Sequence, residues 1–164
     1  MTEKQKEFLR LAVENEKLLK YEEISKILNE PREVLSTWWD ALKEEREKLA
    51  HIRSVWLLKC HELDYESFKK WYLETEMKCH YCGLTENDMM LLWQKYPRLT
   101  KRTRGRKLEI DRKQPDLPYS CTDNLVYCCY WCNNAKTDTF SEEEFLKVGK
   151  VIREIWKKRF DGTR

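Results

Sequence analysis

Residues 108–136 read LEIDRKQPDLPYSCTDNLVYCCYWCNNAK, and this stretch decides how the second half of the chain folds. Leu108 to Ile110 and Leu125 to Tyr127 are short β-prone runs, and the loop between them contains prolines and serine, which predicts a hairpin. Directly after the second run, Cys129 and Cys132 are spaced as C-Y-W-C. The stretch therefore predicts two strands followed by a cysteine-bearing helix.

A second pair of cysteines precedes this stretch. Cys79 and Cys82 form C-H-Y-C, with 46 residues between Cys82 and Cys129. Each C-x-x-C turn directs two sulfur atoms at one point, so two pairs complete the tetrahedron that structural zinc prefers. Four protein thiolates leave no open position for water or substrate, and the zinc is therefore expected to be structural. Cys128 is an alternative to Cys129, but only Cys129 keeps the two-residue gap to Cys132.

Charge is distributed unevenly along the chain. The net charge of +3 combines −2 in residues 1–78 with +5 in residues 79–164, and Lys95 to Lys113 holds nine basic residues against two acidic ones. Such a run can neutralise several phosphates, although a solvated loop that only aids solubility has the same composition. The residues predicted to contact nucleic acid in this run are Arg98, Lys101, Arg102, Arg104, Arg106 and Lys107.

The first 76 residues are predicted to form a helical domain. This region has no glycine and a single proline, Pro31. Apolar residues recur at helical spacing over residues 3–19, over residues 21–28, and from Pro31 as far as Leu58, and a further helix is expected after an Asp64 cap. Residues 21–42 resemble a helix-turn-helix, but two helices packed through an apolar stripe explain the same pattern. A dimerisation element is the other role that we consider for this domain.

Residues 77–164 contain glycines, prolines and β-prone runs, which the first region largely lacks. They are predicted to form the second domain, which ends with a helix. Ser141 and Glu144 form a capping box, and apolar residues follow at helical spacing. No stretch approaches the roughly 18 apolar residues of a membrane span, so we expect no membrane contact. The amino terminus, MTEKQKEFLR, lacks an export signal, and the odd number of cysteines, seven, fits a disulfide framework poorly.

The central stretch resembles the HNH endonuclease family, in particular its zinc-stapled, endonuclease VII-like members. The family signature has an acidic residue and a histidine at the end of a first strand, an asparagine at the start of a second, and then C-x-x-C-[HN]-x-x-K. Asp111, Asn124, Asn133 and Lys136 fall on these positions with matching spacing. Arg112 stands where the family has its water-activating histidine. The resemblance covers about residues 79–140.

The resemblance implies an α+β fold, in which the helical amino-terminal part precedes a small zinc-stapled ββα-metal (HNH) nuclease domain and a carboxy-terminal helix. It also implies a metal-dependent DNA endonuclease, in which Asp111 and Asn133 hold a catalytic Mg²⁺ or Mn²⁺ and Asn124 fixes the hairpin. Oxygen ligands of this kind suit both ions. The alternatives are a surface salt bridge for Asp111 and a helix cap for Asn133.

Catalysis by the usual route requires a base that Arg112 cannot supply, because arginine stays protonated. Arg112 is instead expected to bind phosphate, as is Lys136. The candidates for activating water are His80, Tyr119 and direct loss of a proton from a metal-bound water to solvent. The alternative functions are a catalytically impaired, zinc-stapled nucleic-acid-binding module and an adaptor. We expect DNA as partner, a possible homodimer through the helical part, and the cytoplasmic localisation of a bacterial or phage-type protein.

Overall fold

The computed structural model describes residues 1–15, 17–100 and 104–162. The chain divides into two compact units, Met1–Tyr72 and Leu73–Arg164. Within the described ranges, no helix is both long enough and apolar enough to cross a membrane.

The first unit is helical. Its helices are α1 (Glu3–Leu9), which continues into a π-helical segment (Arg10–Glu14), then α2 (Tyr21–Leu28), α3 (Arg32–Ala41), α4 (Lys43–Lys59) and α5 (Tyr65–Glu74), the last of which extends into the second unit. Phe8 lies at the centre of the core and contacts Tyr21, Trp38 and Trp39 edge-on or tilted, with ring centroids 5.8–6.4 Å apart. Both tryptophans of the candidate helix-turn-helix are therefore partly buried against the core of this unit.

Two helices of this unit differ from the expected lengths. The helix expected over residues 3–19 ends at Glu14, and the Glu14 carboxylate accepts a hydrogen bond from the Tyr65 hydroxyl. The helix expected from Pro31 to Leu58 is broken at Leu42, where α3 ends and α4 begins. The Arg46 guanidinium donates to the Trp39 carbonyl at 2.7 Å, which satisfies one of the acceptors left at the end of α3. The predicted Asp64 cap is confirmed, since its carboxylate accepts from the Ser67 amide at 2.9 Å.

The second unit combines helices with a small sheet. Its elements are α6 (Glu86–Lys95), β1 (Glu109–Arg112), a 3-10 turn (Thr122–Asn124), β2 (Leu125–Cys128), α7 (Tyr130–Lys136) and α8 (Glu142–Asp161). β1 and β2 are antiparallel, with Glu109 opposite Cys128 and Arg112 opposite Leu125. The predicted capping box at Ser141 and Glu144 is confirmed. This mixture of helices and a two-stranded sheet confirms the predicted α+β class.

Helix α8 packs across the first cysteine turn. The rings of Tyr81 and Phe145 meet edge-on, with centroids 5.0 Å apart, and Arg153 Nε donates to the Cys82 carbonyl at 3.0 Å. Gly149 makes this approach possible, because a Cβ there would lie 2.6 Å from the Tyr81 carbonyl oxygen. The hairpin, the cysteine turn and α8 thus share one core.

Candidate metal centre and active site

Four cysteines come together at the base of the hairpin. The sulfur atoms of Cys79, Cys82, Cys129 and Cys132 all lie within 4.8 Å of one another, and all four side chains are buried. Cys82 Sγ and Cys129 Sγ are 3.6 Å apart. Zinc bound tetrahedrally at about 2.3 Å from each sulfur requires sulfur atoms roughly 3.8 Å apart. The donor set and its spacing therefore fit a zinc ion.

Local backbone geometry aims both turns at this point. In the first turn the Gly83 amide donates to the Cys79 carbonyl at 2.8 Å, with Gly83 at a φ of 77° that favours glycine. In the second turn Cys129 caps α7, and the Cys132 amide donates to Cys129 Sγ at 3.5 Å. An amide hydrogen bond to a sulfur stabilises its thiolate, the form that binds metal.

Cys128 is buried beside this cluster but outside it. Its thiol donates to the Cys129 carbonyl at 3.5 Å. Hydrogen bonding to Cys79 and burial raise the pKa of Cys128 well above its usual range, which favours a neutral thiol. The four clustered sulfurs are those of the predicted set with Cys129, and Cys128 is left as a core thiol.

Next to the cysteine cluster, one face of β1 lies against one face of α7. Alternate residues of a strand share a face, as do residues three apart on a helix, so Glu109 and Asp111 meet Asn133 and Lys136. Asn133 Nδ2 donates to Glu109 Oε2 at 2.5 Å, and Lys136 Nζ lies 3.6 Å from Asp111 Oδ2. The structure thus brings both predicted oxygen donors, Asp111 and Asn133, to the face between β1 and α7.

Lys136 differs from the other predicted phosphate contacts. Its side chain is wholly buried, and its ammonium has no hydrogen bond within the described part of the chain. A buried ammonium is costly unless a carboxylate accompanies it, and Asp111 is its ion-pair partner. In this conformation Lys136 offers no surface to DNA.

Arg112 extends from the end of β1 toward the hairpin loop. Its guanidinium donates to Asp138 Oδ1 at 2.7 Å and to the Leu117 carbonyl at 3.3 Å, and lies 4.8 Å from the centre of the Tyr119 ring. The side chain of Asp138 is 84% exposed, so this ion pair is open to competition from another anion. The guanidinium and the Tyr119 ring thus lie together at the edge of the hairpin.

Asn124 organises the loop between the strands. Its Oδ1 accepts from the Gln114 amide at 2.9 Å, and its Nδ2 lies 3.3–3.5 Å from the carbonyl oxygens of Gln114, Leu117 and Pro118. These contacts use both ends of a buried amide group. The position of Asn124 therefore holds the loop that carries Tyr119, and leaves no amide atom directed at a substrate.

His80 and Tyr81 occupy the first cysteine turn. His80 Nε2 lies 2.6 Å from Glu142 Oε1, at the start of α8. The Tyr81 hydroxyl is buried and has no hydrogen bond among the described residues, and burial together with the charge of Asp111 raises the pKa of Tyr81 above its usual value. His80 is thus oriented by a carboxylate, whereas Tyr81 is held in its neutral form.

The basic run lies on the surface of the same unit. Arg98, Arg104, Arg106 and Lys107 are exposed, whereas Lys101 and Arg102 lie outside the described residues. The Arg106 guanidinium stacks 4.3 Å from the centre of the Trp93 ring, and Trp93 Nε1 donates to the Gly105 carbonyl at 3.0 Å. Helix α6 therefore anchors part of the basic run against the core.

Three features of the site were not expected from the sequence. They are the contact of Glu109 with Asn133, the contact of Glu142 with His80, and helix α6. Signals exist for two of them. Glu109 stands two residues before Asp111 on a strand, and T-E-N-D at residues 85–88 is a capping box that precedes an apolar run. The Glu142–His80 contact joins residues 62 positions apart, and no local pattern indicates it.

Among solved structures, the chain is similar to the rare-cutting HNH restriction endonuclease PacI. The TM-score is 0.50 and the sequence identity 24%, over 74% of this chain and 78% of that chain. This likeness is one of fold. No protein-family profile and no curated protein sequence matches it. In this chain β1, β2 and α7 form a ββα unit, and the four cysteines lie at its base.

Proposed function

We propose that this protein is a metal-dependent HNH-type endonuclease that hydrolyses phosphodiester bonds in DNA. One observation carries the proposal: Asp111 and Asn133, two oxygen donors, lie on the facing sides of β1 and α7 in an HNH-type fold. A carboxylate and an amide oxygen are hard ligands that suit Mg²⁺ or Mn²⁺. The similarity to a known nuclease supports this assignment.

Each group of the site has a proposed role. The divalent cation, when bound by Asp111 and Asn133, supplies charge neutralisation at the scissile phosphate. Zinc in the four-cysteine site holds the base of the hairpin. Asn133 presents its carbonyl oxygen because Glu109 takes the N–H of the same amide. Arg112 exchanges Asp138 for a phosphate oxygen.

Two residues are proposed for activating water, because Arg112 cannot accept a proton. Tyr119 lies beside the Arg112 guanidinium at the edge of the hairpin. His80 contacts Glu142, which orients its ring. The exposed Arg98, Arg104, Arg106 and Lys107 would track the DNA backbone, and such contacts carry no sequence information.

A second candidate function follows from Lys136. The buried Lys136 ammonium already forms an ion pair with Asp111, so this carboxylate has a cationic partner without a divalent cation. This observation favours a zinc-stapled nucleic-acid-binding module that has no hydrolytic activity. The two functions predict different consequences when Asp111 is removed.

The test is nicking of supercoiled plasmid by the zinc-replete protein at low salt, with EDTA, Mg²⁺ or Mn²⁺. Asp111→Ala alone leaves Lys136 buried and unpaired, which typically costs about 3–5 kcal/mol of stability. The double variant Asp111→Ala/Lys136→Met removes both charges and keeps the fold testable. Asp116→Ala, an exposed carboxylate in the same hairpin loop, is the matched control.

For an endonuclease we expect cation-dependent nicking by the wild type and by Asp116→Ala, and none by either Asp111 variant, with DNA binding retained. Failure of the wild type to nick in any cation, with salt-dependent DNA binding intact in all variants, would overturn the proposal in favour of the binding module. Nicking that survives in the double variant would show that Asp111 is not a catalytic metal ligand.

A further inference from the structure

Helix α8 leaves a second apolar stripe exposed beside the one that it buries. Phe145, Gly149 and Trp156 face the core, whereas Val148, Val151 and Ile155 are 41%, 56% and 45% exposed. Residues three and four apart lie on the same side of a helix, so these three side chains form one continuous stripe about two turns long. We call Val148, Val151 and Ile155 the α8 seam. Their spacing is that of the apolar seam of a helix pair.

Charges along α8 indicate what can cover the seam. The first turn is acidic, with Glu142, Glu143 and Glu144, and the end of the helix is basic, with Lys157, Lys158 and Arg159. A second α8 in the parallel orientation would bring like charges together. In the antiparallel orientation each acidic end meets a basic end. The charge pattern therefore makes α8 complementary to an antiparallel copy of itself.

The flank of the seam has the same complementarity. Lys147 and Glu154 are exposed, seven residues apart on the side of the seam away from the core. If two antiparallel helices cross near Val151, Lys147 of one copy lies opposite Glu154 of the other, and the two-fold axis repeats this pair. A closed two-fold interface uses the same surface patch on both subunits, and a self-complementary patch of this kind is what it requires.

We propose that the α8 seam is a homodimer interface in which α8 pairs antiparallel with α8 of a second copy. Val151 of each copy lies at the crossing point, and Lys147 and Glu154 fix the register. This interface is distinct from residues 1–76, which the sequence suggested for dimerisation. It also does not depend on nuclease activity, because oligomeric state is measured without DNA or a catalytic cation.

A seam of three side chains is short, so we expect a weak dimer, with a dissociation constant on the order of 10 µM. The experiment is sedimentation equilibrium of the full zinc-replete chain over roughly 1 to 500 µM, which brackets that constant. Val151→Glu places two carboxylates together at the crossing point and should weaken association at least about tenfold. Met90→Glu, an equally exposed apolar position on α6, is the matched control and should leave the dimer unchanged.

Charge reversal provides a test that leaves the apolar seam intact. Lys147→Glu should weaken the dimer because it faces Glu154 of the partner, and Lys147→Glu/Glu154→Lys should restore it. A wild-type chain that stays monomeric at the highest concentration would overturn the proposal. A dimer that withstands Val151→Glu, or one that the double reversal fails to restore, would place the interface elsewhere and overturn it equally.

Discussion

Asp111 and Lys136 show how one buried charge determines the place of another. The carboxylate lies at the end of β1 and the ammonium at the end of α7, and both are withdrawn from solvent. Because an unpaired buried ion costs several kcal/mol, each requires the other in the absence of a divalent cation. Lys136 therefore acts within the candidate metal site, as the ion-pair partner of Asp111. The exposed cations of the basic run lie on the surface instead.

The contact between Glu109 and Asn133 yields a prediction for the proposed cation site. Asn133→Asp removes the N–H that Glu109 accepts and places two carboxylates together. We expect the cation concentration for half-maximal nicking to rise about tenfold or more, since partners of metal ligands typically contribute that much to metal affinity. Nicking rates measured across a Mg²⁺ and a Mn²⁺ series test this.

The double variant Glu109→Gln/Asn133→Asp should reverse the effect of Asn133→Asp. Its glutamine donates a hydrogen bond to the new aspartate, and the pair keeps a single negative charge. We expect the cation requirement to return most of the way to that of the wild type. Asn134→Asp, one residue further along α7 and exposed, serves as control. If melting temperatures fall in Asn133→Asp while the cation requirement stays constant, Glu109 has a structural role only.

At the scale of single elements, α8 holds the first cysteine turn through a contact that depends on a glycine. Alanine normally stabilises a helix interior by up to about 1 kcal/mol relative to glycine. At Gly149 a Cβ would lie 2.6 Å from the Tyr81 carbonyl oxygen, and backbone cannot move aside cheaply. The close approach should therefore outweigh helix propensity.

We expect Gly149→Ala to lower the free energy of unfolding by about 1–3 kcal/mol, the usual cost of overpacking. Denaturant unfolding of the zinc-replete protein measures it. Lys150→Ala, on the exposed side of the same helix, should change stability by less than about 0.5 kcal/mol. Stabilisation by Gly149→Ala would contradict the packing of α8 on the cysteine turn.

At the scale of the whole molecule, the two units depend on different forces. The first has an aromatic and aliphatic core around Phe8, and its described residues contain no cluster of metal-ligating side chains. In the second, buried cysteines make up a large part of the core, together with residues such as Tyr81, Leu92 and Phe145. A zinc ion held by four of these cysteines would contribute folding free energy to this small domain directly. Metal removal should therefore affect the two units unequally.

We expect chelation of zinc to unfold much of residues 73–164 while residues 1–72 keep their helices. Amide hydrogen exchange, read segment by segment before and after treatment with a chelator, measures this. Cys129→Ser should reproduce the effect without chelator, because it removes one of the four clustered thiolates. Cys128→Ala, at the adjacent buried thiol, should retain zinc and protection. Equal protection of both units after metal removal would contradict a structural zinc site.

The sequence alone determined the features that depend on local spacing. Each of these features depends on residues a few positions apart, so the sequence alone shows what it requires. They are the two C-x-x-C turns, the strands around LEID and NLVY, and the cap at Ser141. The helix break at Leu42 was not predicted, because no glycine or proline marks it; the Arg46 side chain satisfies the Trp39 carbonyl near this point. Helix α6 was not predicted, although Thr85 and Asp88 form a capping box at its start.

Which residues share the site depends on how separate elements of the fold pack together. Glu142 lies 62 residues from His80, and Asn133 lies 24 residues from Glu109, yet each pair is in hydrogen-bond contact. Contacts of this kind arise when separate elements pack together, and no periodicity in the sequence encodes them. The burial of Lys136 has the same origin: a lysine that the motif alone makes a phosphate contact becomes the ion-pair partner of Asp111 once α7 packs on β1.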